Sequence, residues 1–159
     1  MHFATQCSRL GPAAGSARSR LESWSRRLAL RPQRILFVCT ANVDRSRTAQ
    51  DLYKDDHRYE VESAGTAPFA TTLLTPELLY WADRIFVMCE REDRHHTQIK
   101  MRFPGVKADV KDLDIEDHWP RGHPELVKRL LKKLRPHLGD PQPANAAETE
   151  DNDGDGGLA

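Results

Sequence analysis

Ile35-Leu36-Phe37-Val38-Cys39-Thr40-Ala41-Asn42-Val43-Asp44-Arg45-Ser46 is the stretch from which the rest of the chain is read. Its first four residues are a short apolar run rich in branched side chains, which suits a strand buried on both faces. A polar loop follows, then residues compatible with a helix to about position 57, with Ala49, Leu52 and Tyr53 at helical spacing. Strand, loop and helix in that order form the opening unit of a parallel sheet.

The same alternation continues downstream. Residues 59–63 (YEVES) read as a second strand, less apolar and therefore nearer an edge. Thr75-Pro76-Glu77 opens a helix with Thr as N-cap and Pro at the first position, ending near residue 83. Residues 84–88 (RIFVM) form a third strand, 91–101 a polar helix and 110–113 a weaker fourth strand. Residues 124–137 are amphipathic, with Leu126, Val127, Leu130, Leu131 and Leu134 on one face and Gly139 as the stop. Right-handed crossovers between such units give an α/β domain with helices on both faces of a parallel sheet. Ligands bind such sheets at the carboxyl ends of the strands. Cys39, Cys89 and the acids of residues 112–117 all fall there.

Charge and composition bound what surrounds this domain. The 159 residues hold 24 basic and 24 acidic side chains, but the balance is uneven. Residues 1–34 carry seven Arg and one acid, residues 140–159 six acids and no base, and the middle sums to zero. A domain without positive excess is a poor nucleic-acid binder. No run of 18 apolar residues exists to span a membrane. The leader lacks a secretory apolar run, and its composition fits disorder, a start codon placed too far upstream, or an organelle transit peptide. The tail reads as disordered. Three widely spaced cysteines argue for a reducing, cytoplasmic setting rather than a disulfide framework.

Cys39 and Arg45 stand in a C-x5-R-S spacing between strand and helix. Backbone N–H groups of such a loop, with the positive end of the helix dipole, can wrap an anion. The same field favours a thiolate at Cys39. Arg45 can grip two oxygens of a tetrahedral anion with its planar fork, and Ser46 can donate to the sulfur. A nucleophile aimed at phosphorus in a dianion pocket is the result. The bland alternative is a small buried cysteine at a strand end.

Residues 35–139 resemble the low-molecular-weight protein tyrosine phosphatase superfamily, most closely its short bacterial members. The resemblance rests on ILFVCTANVDRSRTA (35–49), VESAGTAP (61–68), LTPELLYWADRIFVM (74–88) and LDIEDHWPRGHPELVKRL (113–130). It implies a three-layer α/β/α, flavodoxin-like fold with a four-stranded parallel sheet. The implied activity is metal- and cofactor-free hydrolysis of a phosphorylated protein or small aryl phosphate through a phosphocysteine. By the same resemblance Cys39 is the nucleophile, Arg45 the phosphate clamp and Asp117 the general acid, with Asp114 and Asp112 as rivals. Thr40, Ala41, Asn42, Val43, Asp44 and Ser46 line the substrate anion, Ser63 supports the loop, and Trp119 stands beside the pocket mouth.

The loop departs from the pattern at Ala41, Asp44 and Arg47. An acid aimed into an anion pocket costs about 1 kcal/mol at 4 Å in water and about 4 at an effective dielectric of 20. It can equally point outward and pair with Arg47 or another base. Two other readings therefore stay open: a thiol-coupled arsenate reductase using Cys89, and a non-catalytic phosphate-binding module. Cys89 also reads as a structural strand-end cysteine. His95, His96, His118 and His123 match no zinc spacing and read as surface histidines.

Overall fold

The computed structural model describes residues 31–142. The expected leader (1–34) and tail (140–159) lie almost wholly outside the described residues. Four parallel strands, β1 (Gln33–Cys39), β2 (Tyr59–Gly65), β3 (Arg84–Val87) and β4 (Asp109–Asp112), pair in the order β2-β1-β3-β4. Four helices alternate with them: α1 (Arg45–Tyr53), α2 (Pro76–Trp81), α3 (His95–Arg102) and α4 (Pro124–Leu138). The α/β sandwich expected from the sequence is the fold.

Strand pleating divides β1 between two cores, because successive side chains point to opposite faces. Ile35, Phe37 and Cys39 join Ala49 and Tyr53 of α1 and Leu126, Leu130, Leu134 and Leu138 of α4. Leu36 and Val38 join Leu79 of α2 and Ile99 of α3 on the other face. Residues 35–38 are therefore fully buried and uniformly apolar. β2 is an edge strand, as its mixed composition suggested. The chain leaves β1 toward β2 and β3 toward β4, so the loops after β1 and β3 diverge. That divergence opens a crevice of the kind that binds ligands in open parallel sheets.

Element ends differ from expectation in places. The first helix stops at Tyr53 rather than near residue 57. Asp56 instead accepts from Arg58 through its backbone N–H (3.0 Å), Nε (2.9 Å) and Nη2 (2.6 Å). It also accepts from the Gln142 N–H at 2.9 Å, closing the end of the described chain onto the domain. The third helix begins at His95, four residues late, because Arg94 adopts φ 54 and Asp93 turns away to another partner. Glu90 caps its first turn, accepting from the Thr97 N–H at 3.0 Å and from the Thr97 hydroxyl. Thr75 caps α2 as expected, and His123 caps α4 by accepting from the Glu125 N–H at 3.2 Å. Among the described residues no helix is long and apolar enough to cross a membrane.

Arg58, followed by burial acting in the opposite sense, sets the ionisation of Asp56, whose carboxyl is held down to about 2 from an ordinary 3.8. A depressed carboxyl stabilises the fold fully above its unfolded value, and that contribution is lost as pH falls from there through about 2. Asp56→Asn should cost about 2 kcal/mol at neutral pH. Urea midpoints should show the gap between variant and parent closing as pH falls from 4 toward 2; a gap that persists would assign the acid sensitivity to another group.

Candidate active site

Cys39 ends β1, and the loop after it is held from three sides. Asn42 takes φ 53, a left-handed conformation that Asn tolerates better than most residues. The carbonyls of Cys39, Thr40 and Ala41 accept at 3.0 Å from the N–H groups of Thr66, Ala67 and Thr71. Three oxygens that would repel an anion are thus tied to the neighbouring loop. That loop can approach only because position 65 is Gly: a Cβ there would lie 2.4 Å from the Thr40 carbonyl oxygen and 2.9 Å from the Asn42 nitrogen.

A relay of side chains ends at the sulfur. Gln50 donates to the Val61 carbonyl (3.2 Å) and accepts from the Ser63 hydroxyl (2.7 Å). The Asn42 amide donates to Ser63 Oγ (2.9 Å) and to Ser46 Oγ (3.0 Å). Because Ser46 already receives one hydrogen, its own proton is directed at Cys39 Sγ, 3.0 Å away. The Asn42 N–H, at 3.2 Å, is a second donor to the same sulfur. Two hydrogen-bonding groups and the N-terminus of α1 converge on that atom.

Arg45 is buried, with 2% of its side chain exposed, and both outer nitrogens of its guanidinium have partners. Nη1 donates to Asp93 Oδ2 at 2.8 Å and to the Ile115 carbonyl at 3.1 Å. Nη2 lies 3.2 Å from Asp117 Oδ2, a carboxylate that is itself 60% exposed. Of the three acids considered from sequence, Asp117 alone reaches Arg45. Asp112 accepts from the Glu90 and Asp114 N–H groups (3.2 and 3.1 Å). Asp114 pairs with Arg91 at 3.3 Å and Lys133 at 3.9 Å. Trp119 is half-buried against the α1/α4 core, with the Arg129 guanidinium 4.6 Å from its ring centre. Val43 is largely exposed. Asp44 faces neither the sulfur nor Arg47: its Oδ1 accepts from the Arg121 N–H at 2.8 Å.

His95 overturns the surface reading. It is fully buried. Its Nδ1 accepts from the Cys89 N–H at 3.2 Å, so the proton sits on Nε2 and points to Thr40 Oγ1 at 3.0 Å. Cys89, buried beside it, is a free thiol at the end of β3. Asp93 and His95 carried no sequence signal beyond their place after a strand. Among the described residues no group of three or more His, Cys, Asp or Glu is arranged to hold a metal ion. A surface hollow between α3 and β4, lined in part by Ile99, Phe103, Val106 and Val110, contains none of this chemistry.

A thiol at a strand end, a helix N-terminus and a buried arginine define the class of cysteine-dependent phosphomonoester hydrolases. The fold and the arrangement of the site resemble those of the low-molecular-weight protein tyrosine phosphatase superfamily, its short bacterial members included. Its structure is similar to the YwlE arginine phosphatase from Geobacillus stearothermophilus, at 27% identity and TM-score 0.51, over 67% of this chain and 93% of that one. A YwlE mutant from Bacillus subtilis matches at 25% identity and TM-score 0.47, over 67% and 98% of the two chains. A thioredoxin-dependent arsenate reductase from Corynebacterium glutamicum matches at 21% and 0.47, over 76% and 68%. No family model and no curated protein matches the chain.

Burial pushes the His95 imidazole below its ordinary 6.5; Arg45 adds to that push, and Asp93, Asp112 and Glu90 oppose it. The folded state therefore binds the proton less readily than the unfolded one, and stability falls as pH drops below about 6.5. One such group gives a slope of at most about 1.4 kcal/mol per pH unit. Urea midpoints between pH 7 and 5 should show a shallower slope in His95→Gln than in the parent. An unchanged slope would remove His95 from the account.

Proposed function

We propose that the protein hydrolyses phosphate monoesters of protein side chains, tyrosyl or other aryl esters foremost, with residues 39–46 as a phosphate-binding loop. The observation that carries this reading is the buried Arg45 with the exposed Asp117 carboxylate on its outer nitrogen. An anion of higher charge competes for that nitrogen, and the carboxylate it displaces is left beside the leaving group. Cys39 attacks phosphorus as the thiolate, the ester P–O bond breaks, and Asp117, which takes up a proton from solvent on leaving Arg45, passes it to the departing oxygen. Water then attacks the phosphocysteine, gives a proton to Asp117, and sulfur leaves toward the Ser46 hydroxyl. Backbone N–H groups of the loop and the Arg45 fork hold the equatorial oxygens throughout. Asp44 does not obstruct this scheme, because its carboxylate is spent on the Arg121 N–H.

Turnover of p-nitrophenyl phosphate should withstand a chelator, be blocked by vanadate and vanish in Cys39→Ser. Turnover undiminished in that variant would sink the assignment. Arg45→Ala should lose both binding and rate, since the fork serves ground state and transition state alike.

Asp117→Ala should lower kcat/KM for phenyl phosphate about 100-fold, in line with general-acid contributions. Nitrophenyl phosphate, whose leaving group needs little protonation, should suffer far less. Equal losses on the two esters would move the acid role to Asp114.

The name of the Geobacillus relative supports a second substrate class, phosphoarginine. Its guanidinium is basic, and Asp114, Glu116 and Asp117 follow one another around the segment that reaches Arg45. Peptides carrying phosphoarginine and phosphotyrosine, compared by kcat/KM, separate the two.

A further inference from the structure

Asp44 occupies the N-cap position of α1, yet its side chain caps nothing there. An N-cap Asp ordinarily accepts from an N–H in the first turn of its own helix. Here the carboxylate reaches across 77 residues to the Arg121 N–H at 2.8 Å. Two further contacts lie along the same side of the helix, at positions four and seven residues on. Thr48 Oγ1 accepts from the Gly122 N–H at 3.0 Å and donates to the Asp44 carbonyl at 2.7 Å. Asp51 accepts from Arg121 Nε and Nη2 at 2.7 and 2.9 Å, a bidentate pair. Gly122 accommodates the arrangement with φ 75.

These contacts grip the segment that carries Asp117. Residues 113–123 hold no regular secondary structure. Upstream, the Ile115 N–H is fixed to the Met88 carbonyl at 2.6 Å. Downstream of Asp117, Trp119 leans on Arg129 and residues 121–122 are fastened to α1. The Asp117 carboxylate itself touches Arg45, the contact that an incoming phosphate takes over in the proposed mechanism. Once that happens, the downstream end of the segment is positioned by the fastening on α1. The same helix begins with Arg45, so one rigid element sets both the phosphate clamp and the acid.

We propose that Asp44, with Thr48, Asp51 and Arg121, is a latch that positions Asp117 for proton donation, making Asp44 a positioning residue rather than a substrate contact. The proposal rests on the reading of Asp117 as general acid. It explains why an acid is tolerated in an anion-binding loop: its charge is turned away from the anion and used on the acid-bearing segment.

The test is the leaving-group dependence of kcat/KM, measured with phenyl phosphate and p-nitrophenyl phosphate on the full chain. Asp44→Ala should lose at least about tenfold more on phenyl phosphate than on the nitrophenyl ester, a part of what a general acid contributes. Asp44→Asn, whose amide oxygen can accept the same N–H, should keep the parental ratio. Arg121→Ala, which removes the bidentate arm and leaves the backbone donor, should shift the ratio in the same direction by less; it also serves if Asp44→Ala fails to fold. Added to Asp117→Ala, Asp44→Ala should change the ratio no further, since both act through one proton. A selective Asp117→Ala beside unselective Asp44→Ala and Arg121→Ala would overturn the latch alone. So would a ratio in Asp44→Asn as low as in Asp44→Ala. If Asp117→Ala itself is unselective, the acid assignment fails and takes the latch with it.

Discussion

A guanidinium that cannot lose its charge is buried at the start of α1, and its need for anionic partners organises the carboxyl edge of the sheet. Removing one partner from a buried ion pair typically costs about 3–5 kcal/mol, because the remaining charge is left without compensation. Arg45 meets that constraint with Asp93 from the loop after β3, and with the Ile115 carbonyl and Asp117 from the segment after β4. Both loops are drawn to the loop after β1 for this reason. The late start of α3 follows too: Asp93 serves Arg45, and the helix begins only beyond it.

The partners are not equivalent. Asp93 is the more sheltered of the two carboxylates and binds at 2.8 Å, whereas Asp117 is mostly exposed and lies at 3.2 Å. Exposed ion pairs contribute little to stability, so Asp117 is the partner that can be exchanged with least loss. The opposite asymmetry holds at the sulfur, where both donors come from buried residues of the loop itself and a fixed relay runs back to the Val61 carbonyl. The site thus combines a rigid seat for the Cys39 sulfur with one replaceable counter-ion on Arg45, the combination that the proposed chemistry requires.

Much of this was legible in the sequence, and the legible part has a common cause. Residues 35–38, the Thr75-Pro76 helix start and the leucine stripe ending at Gly139 are local signals, and each element formed where its signal lay. The closeness of Cys39, Asn42 and Ser46 is likewise local, since all three lie within eight residues. Asp93, His95 and Arg121 were not legible, since what they do depends on partners 48, 55 and 77 residues away. His95 shows the difficulty plainly. Beside Arg94 and His96 it looks like part of a solvated charged turn, and only the side-by-side pairing of β1 with β3 encloses it between Cys89 and Thr40.

Asp44 carries the same lesson to the level of function. Judged by position, an acid one residue before the clamp should weaken any anion site, by an amount that grows as the surroundings dry. Judged by partners, its carboxylate is part of the surface on which the segment with Asp117 rests, and the helix N-terminus beside it offsets part of its charge. The electrostatic cost depends on distance and dielectric, whereas the positional gain depends on geometry. A residue can therefore look inhibitory in a motif and be constructive in a fold. Here the deciding fact is that the Arg121 N–H, and no group of the anion pocket, holds that carboxylate.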